Sequence, residues 1–413
     1  MILPQSCTAY FKQMSFNRFH SLVGPFFMVS LVMLSVTNCS VIFPVIAPFE
    51  DLPAPTGPFS VATYSATWTD TTREETFTPE EDFRRLVVQV WFPVPKGVPG
   101  EGLPYIDDPE LRLPAIARQL RLPQSLIRHF GEVRTHAVNA HHSTVHDQEF
   151  PVILFSHGLS GMRFQNTALI EELVSQGYVV LAPDHSYGAN ITIFDDGTIA
   201  HYEAGERRSL NASFVSTLDL TQIHILVGDL QFIINTLDSD RGDPFLRSLP
   251  MDLEHLGIVG HSLGGAAALS AMALDDRIRA AMVLDGWYAP VPDSIITTGI
   301  NQPIFHLGQG QWEDETNYQR LDTLLSHGKG ASYKILIPRT LHTDFTDMPL
   351  FTPFSRLIGY TRVRDPLWMN SLIREHSTTF FDVYLKDQPP ALLESQILKH
   401  RDISSSIYNP RAR

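Results

Sequence analysis

The sequence of 413 residues predicts an α/β fold, in which a mostly parallel central sheet carries helices on both faces within a single domain. Two observations support this fold class. Short runs of β-branched and aromatic residues are continuously apolar instead of alternating, which is typical of strands that are buried on both faces. Helical patterns separate these runs, and an alternation of strands with helices favours parallel pairing.

The predicted elements follow one another along most of the chain. The strands are expected at 86–92, 152–155, 178–182, 256–259, 280–284, 303–307 and 333–337. The helices are expected at 166–175, 218–237, 263–274, 318–326 and 368–386. The polar, acidic segment 67–82 is predicted to be a hairpin loop near the start of the sheet.

Residues 111–130 form an amphipathic segment that is interrupted by Pro114 and Pro123. Two interpretations are open. The segment could be a pair of surface helices packed on the core, or it could have a function, as a partial lid over an apolar pocket or as a surface that meets lipid. The sequence does not decide between them.

Composition excludes several classes of protein. The net charge of −14 argues against a general nucleic-acid binder, which needs a basic surface to displace counterions from phosphate. The two cysteines, Cys7 and Cys39, both lie near the start of the sequence. The folded body therefore cannot hold a cysteine nucleophile, a zinc ribbon or a disulfide framework.

Residues 1–39 are predicted to be an export signal, because Lys12 and Arg18 precede the apolar run 22–36. The end of this segment is similar to a bacterial lipoprotein signal, in which Cys39 would be lipidated; ordinary secretion and an uncleaved anchor are the alternatives. The protein is thus expected to be exported, whether secreted, periplasmic or membrane-anchored as a lipoprotein. Residues 40–58 are predicted to be a linker, 59–390 a catalytic domain and 391–413 a tail.

The candidate nucleophile is Ser262, within the sequence Gly260-His-Ser-Leu-Gly264. This G-x-S-x-G pattern stands between a predicted strand and a predicted helix, which is the arrangement of a nucleophile elbow. Glycines are needed there because the turn is strained and the chain passes close to its neighbours.

A serine nucleophile requires a base and an orienting acid, which follow it along the chain in this architecture. His342 is the candidate base, because it lies just beyond the last predicted strand. For the acid, Asp285 and Asp314 both follow predicted strands, and the residues alone leave the choice open. Asp344 and Asp347 come after the histidine and fit the expected order less well.

A backbone pair is predicted to bind the oxyanion. The segment 155–161 follows a strand and precedes a helix, so the N–H groups of Leu159 and Leu263 are the candidates. His157 has no partner at metal-ligand spacing, so no metal site is predicted and His157 is expected to support the loop by hydrogen bonding. Asp184 and His185 are expected to be structural or to line the pocket.

Together these motifs resemble the platelet-activating-factor acetylhydrolase family of α/β-hydrolases. The resemblance rests on the segments 57–61, 90–93 and 155–159, on the elbow, on Leu-Asp285-Gly-Trp, and on His342 followed by Phe345. It implies that Asp285 is the acid, that short or oxidised acyl esters of phospholipids are the substrates, and that neither calcium nor another cofactor takes part. The segments 111–130 and 67–82 show no clear match, so substrate choice could differ.

Two other functions compete with a phospholipid or short-chain esterase. One is a dienelactone-type, polyester-depolymerising or peptidase-like hydrolase of the same fold, and the other is a catalytically silent binding module. The expected partners are a small-molecule or lipid ester and a membrane surface, reached through a lipidated Cys39 or through residues 111–130. No nucleic acid is expected.

Overall fold

A computed structural model describes residues 49–140, 148–203, 212–239, 244–312, 314–399 and 403–408. The predicted export signal, with Cys39, lies outside these residues, as does the part of the predicted linker before residue 49. Within the described ranges, no helix combines the length and the apolar character needed to cross a bilayer.

Ten strands form the central sheet, and two more pair in a separate hairpin. The strands are β1 (Ser60–Glu74), β2 (Phe83–Val94), β3 (Val138–Asn139), β4 (Phe150–Ser156), β5 (Val179–Asp184), β6 (Ile191–Ile193), β7 (Ile199–His201), β8 (Met251–His261), β9 (Ile278–Leu284), β10 (Ile304–Gln309), β11 (Ser332–Ile337) and β12 (Ser404–Tyr408). The sheet order is β12-β11-β10-β9-β8-β4-β5-β2-β1-β3. The six strands from β11 to β5 run parallel, whereas β2 and β12 join this block antiparallel.

Helices cover both faces of the sheet. They are α1 (Pro109–Leu120), α2 (Gln124–Ile127), α3 (Thr167–Ser175), α4 (Ala212–Leu237), α5 (Pro244–Ser248), α6 (Leu263–Leu274), α7 (Asp293–Thr298), α8 (Thr316–His327), α9 (Met348–Phe351), α10 (Phe354–Leu357), α11 (Pro366–Leu385) and α12 (Ala391–Ile397). Neighbouring strand residues enter opposite cores: Ile153 packs with α3 and α11, and Val152 packs with α4, α6 and α8. The predicted fold class is therefore confirmed.

The structure differs from the sequence predictions at both ends of the domain. Strand β1 continues to Glu74, so the first half of the segment 67–82 is strand and only the second half is the predicted hairpin loop. Threonines recur along β1, and a β-branched polar residue suits a strand with one face toward water. The predicted tail contains α12 and β12, and β12 pairs with β11 although its sequence is mostly serine.

Residues 111–130 form the predicted pair of helices, α1 and α2, followed by a 3-10 turn. Pro114 lies inside α1 and does not end it. The fully buried Arg112 anchors this helix to the body, because its guanidinium bonds the Ile191 carbonyl at 2.7 Å and the Asp184 carboxylate at 3.2 Å. These contacts hold α1 against the body of the domain, although Pro114 lacks the N–H that would complete the hydrogen bonding of the helix.

Candidate active site

The elbow at Ser262 has the strained geometry that its sequence predicts. Strand β8 ends at His261, Ser262 adopts φ 56° and ψ −120°, and α6 begins at the next residue. A Cβ on Gly260 would lie 2.2 Å from the Gly264 carbonyl oxygen, and one on Gly264 would lie 2.1 Å from the Ser156 carbonyl oxygen. The turn therefore closes only with glycine at both positions.

Asp285 follows β9 and receives four hydrogen bonds. His342 Nδ1 donates to its Oδ2 at 2.7 Å, and the donors at the other contacts are Gln309 N (2.9 Å), Gln309 Nε2 (3.0 Å) and Trp312 Nε1 (3.0 Å). Burial alone would raise the pKa of this fully buried carboxyl, but the hydrogen bond and charge of His342, with the Gln309 N–H, outweigh it and lower the pKa. Asp285 is thus an ionised partner for His342.

The His342 ring lies over the elbow. Its centroid is 4.6 Å from that of His261, the residue before Ser262, and its side chain is 26% exposed. Burial lowers the pKa of His261 to about 3, so this neighbour is neutral. Within the described chain, Ser262 Oγ makes no hydrogen bond to the His342 ring. Such contacts are often long without substrate and shorten in the reacting complex.

The other candidate acids have different partners. Asp314 is exposed at the start of α8, where it accepts bonds from Thr316 N at 2.9 Å and Thr316 Oγ1 at 2.7 Å. Asp344 accepts bonds from the backbone N–H groups of residues 341, 362 and 363. The structure therefore brings His342 together with Asp285, the acid that the family resemblance implies.

The loop after β4 lies against the elbow. A Cβ on Gly158 would lie 3.1 Å from Ser262 Cβ, which places the neighbouring Leu159 beside the candidate nucleophile. His157 supports this loop as the sequence predicted: its Nδ1 bonds the Gly158 carbonyl at 2.7 Å, and its Nε2 accepts the His185 N–H at 3.1 Å. Burial lowers the pKa of His157 to about 4, so its ring is neutral in this position.

A second Ser–His–Asp chain lies beneath this loop, and sequence reasoning missed it. Ser156 Oγ contacts His185 Nε2 at 3.0 Å, and His185 Nδ1 contacts Asp229 Oδ2 at 3.0 Å. Asp229 is further bound by the guanidinium groups of Arg84, at 2.7 and 3.0 Å, and Arg73, at 2.8 Å. No single sequence motif contains Ser156, His185 and Asp229, because they come from separate elements of the fold.

The two chains differ in accessibility. The Ser156, His185 and Asp229 side chains have no exposed surface, so an ester carbonyl cannot reach Ser156. Ser262, by contrast, retains 8% exposure at the end of the sheet where loops gather. The buried chain is therefore inaccessible to substrate, which favours the structural one of the two roles predicted for His185.

A strand–serine–helix elbow on a mostly parallel sheet, with a His–Asp pair from later loops, defines an α/β-hydrolase. Comparison of the sequence with known families identifies the family within this class. The chain belongs to the family described as platelet-activating factor acetylhydrolase, isoform II, whose model matches residues 47–224 and 230–385. The resemblance in the motifs is thereby confirmed.

Individual relatives are distant. The platelet-activating factor acetylhydrolase of Bos taurus is 27% identical over 253 residues, which cover 56% of this chain and 55% of that protein. The chain thus spans just over half the length of this relative. A probable 1-alkyl-2-acetylglycerophosphocholine esterase of Arthroderma benhamiae is 26% identical over 72% of this chain and 76% of its own. The structure of a ferulic acid esterase from Streptomyces cinnamoneus is 25% identical, with a TM-score of 0.70 over 86% of this chain and 99% of that one.

Proposed function

We propose that the chain hydrolyses carboxylic esters, with Ser262 as the nucleophile, His342 as the general base and Asp285 as the orienting acid. The observation that carries this proposal is the 2.7 Å bond between His342 Nδ1 and the buried Asp285 carboxylate, beside the strained elbow. Because Nδ1 donates to Asp285, the lone pair of Nε2 is available to accept the Ser262 proton.

The reaction follows from these roles. Ser262 Oγ attacks the ester carbonyl while His342 takes its proton, and the imidazolium then gives that proton to the departing alcohol. Water, activated by His342, hydrolyses the acyl-enzyme and restores the serine.

The negative charge that develops on the carbonyl oxygen needs donors. The backbone N–H groups of Leu159 and Leu263 are our proposed oxyanion hole, since one follows the glycine that packs on Ser262 and the other opens α6. The N-terminal end of a helix also favours negative charge. By analogy with removal of one such donor, each contributes about 3 kcal/mol to transition-state stabilisation.

The proposed substrates are short or oxidised acyl esters of phospholipids. Two kinds of relative support this class by name, an acetylhydrolase and a 1-alkyl-2-acetylglycerophosphocholine esterase. A series of phospholipids and p-nitrophenyl esters of increasing acyl length tests it. Highest kcat/KM on short acyl phospholipids is expected. A preference for polyesters or dienelactones with no phospholipid turnover would instead favour the alternative hydrolases.

The two Ser–His–Asp chains give a matched test of the nucleophile. Ser262→Ala should abolish p-nitrophenyl acetate hydrolysis and labelling by a fluorophosphonate probe, and Ser156→Ala should retain both. Each variant should show the far-ultraviolet circular dichroism of the parent protein. Persistent labelling of Ser262→Ala would refute our assignment. A parent protein that is neither labelled nor active would favour the silent binding module.

We further propose that the surface around α1, α2 and α10 meets the lipid that carries the substrate. Apart from the exposed Glu110 in the first turn of α1, the segments 109–130 and 349–364 contain no acidic residue, although the whole chain has a net charge of −14. Their exposed arginines are Arg118, Arg121, Arg128, Arg356, Arg362 and Arg364. A hydrogen bond from Tyr360 to the Leu120 carbonyl joins the two segments, and Leu357 beside them is 80% exposed.

Vesicle co-sedimentation tests this surface. Leu357→Asp should weaken binding to phosphatidylglycerol vesicles, and Leu274→Asp, at a comparably exposed leucine at the end of α6, should not. Equal binding by both variants would contradict the proposal. Export through residues 1–39 stays a prediction, and mass spectrometry of the mature amino terminus would show whether Cys39 begins the chain and carries lipid.

A further inference from the structure

Trp312 contacts both the acid and the base of the proposed triad. It lies in the loop after β10, and its indole Nε1–H donates to Asp285 Oδ1 at 3.0 Å. The same ring meets the His342 imidazole edge to face, with centroids 5.2 Å apart and planes at 75°. The sequence reasoning gave this residue no role, although it stands two residues before the alternative acid Asp314.

The hydrogen bonds to Asp285 are divided between its two oxygens. Oδ2 accepts from His342 and from the Gln309 side chain, whereas Oδ1 accepts from the Gln309 backbone N–H and from Trp312. Because both oxygens accept hydrogen bonds, the carboxylate cannot rotate about its Cβ–Cγ bond without breaking hydrogen bonds at both oxygens. The donors on Oδ1 therefore fix the direction in which Oδ2 meets His342.

Trp312 is the outermost of these donors. Gln309 is buried, whereas Trp312 is half-buried in the loop that covers Asp285. A tryptophan combines a flat apolar ring with one N–H donor, so it can exclude water from a carboxylate and bond it at the same time. Phenylalanine at this position would retain the ring and lose the donor.

We propose that Trp312 is a positioning residue of this hydrolase: its N–H holds the Asp285 carboxylate in register with His342, and its ring edge restrains the imidazole over Ser262. This inference rests on the proposed function. The charge of Asp285 matters most when His342 is an imidazolium, and a loosely held acid stabilises the transition state less than a fixed one.

Phenylalanine substitution isolates the donor. Trp312→Phe should lower kcat for p-nitrophenyl acetate roughly 10-fold, as expected for losing a hydrogen bond to a charged group, and should leave KM nearly unchanged. With one donor fewer, the Asp285 carboxylate is held less firmly and stabilises the imidazolium form of His342 less. The acid limb of the kcat/KM profile should therefore move to lower pH. Trp368→Phe, at an exposed tryptophan on α11, is the matched control and should change neither quantity.

Fluorescence gives a readout that does not depend on turnover. An imidazolium in contact with an indole quenches its emission, so the parent protein should lose fluorescence as pH falls through the acid limb. This step should be absent from Trp312→Phe and from His342→Ala, and present in Trp368→Phe.

The outcomes separate this inference from the proposed function. Parent-like kcat and an unmoved acid limb in Trp312→Phe would overturn the positioning role, even with Ser262→Ala inactive. If the loss of kcat in Trp312→Phe is no larger than the loss of folded protein, the positioning role would also be overturned. Activity retained by Ser262→Ala would overturn the proposed function instead. Among substitutions of Trp312, only one that keeps a ring N–H, such as Trp312→His, should restore kcat. This result would support the role of the donor.

Discussion

Glu171 and its neighbour Glu172 lie on α3, yet their surroundings predict opposite effects of pH on stability. Glu171 Oε1 accepts the N–H groups of His136 at 2.8 Å and Ala137 at 2.7 Å, whereas its Oε2 is buried without a partner in the described part of the chain. Burial raises the pKa of Glu171 to about 8, because these two bonds and the charge of Arg374 offset only part of the desolvation.

The size of the effect follows from this shift. Between the ordinary pKa of 4.5 and the folded value of about 8, the native state keeps a proton that the unfolded chain releases. The free energy of unfolding therefore falls as pH rises through this window. At about 1.4 kcal/mol for each unit, the contribution reaches about 3 kcal/mol at pH 7 and about 5 kcal/mol at pH 8. Glu171→Gln keeps the acceptor oxygen and abolishes this dependence.

Urea denaturation at several pH values between 5 and 8, followed by tryptophan fluorescence, measures the difference. Glu171→Gln should match the parent at pH 5 and become progressively more stable than it toward pH 8. Glu172→Gln is the control of opposite sign. Burial acts to raise the pKa of Glu172, but bonds from Gln176, Thr56 and Arg374 outweigh it and lower the pKa, so this variant should be less stable at neutral pH and recover toward acid. Parallel stability curves for the parent and Glu171→Gln would refute the reasoning.

Three further predictions test the support of the site. Asp285→Asn should reduce kcat by about 10⁴-fold, whereas Asp314→Asn should stay close to the parent; the reverse order would contradict the assignment of the acid. Arg84→Met removes the guanidinium that pairs with the buried carboxylates of Glu75 and Asp229, and should lower the free energy of unfolding by about 3–5 kcal/mol in urea titrations, an effect that a parent-like midpoint would disprove. Gly264→Ala places a Cβ 2.1 Å from a backbone oxygen of β4 and should abolish soluble expression, whereas Gly197→Ala meets no neighbouring atom, costs only about 1–2 kcal/mol of backbone strain at φ 81°, and should still express.

The sequence predicted those features whose signal is local. Each of the seven predicted strands lies within or largely overlaps an observed strand, from β2 to β11, because a strand buried on both faces is apolar at every position. The elbow was equally recognisable, since the requirement for Gly260 comes from a contact with Gly264 only four residues away, although Gly264 itself is required by a contact with β4. Pro114 was misleading, because the anchoring of Arg112 depends on residues far along the chain.

The remaining features depend on pairings between distant residues. Asp285 and Asp314 both follow strands of the parallel block, and only the path of the loop that bears His342 distinguishes them. The buried contact of Ser156 with His185 joins the ends of two neighbouring strands, with no shared motif. Trp312 likewise reaches Asp285 from the next strand of the sheet. Sequence patterns identified the candidate chemical groups, but not which of these groups lie in contact in the folded protein.

Strand β12 has a consequence for how the site opens. Because residues 404–408 pair with β11, the strand that leads to His342 is hydrogen-bonded along both of its edges. An unpaired edge strand frays and exchanges its amide hydrogens readily, whereas a strand bonded on both sides opens only with its neighbours. The amides of β11 should therefore exchange as slowly as those of β10. Strand β12, although remote from the elbow, would then determine how often His342 moves away from Ser262.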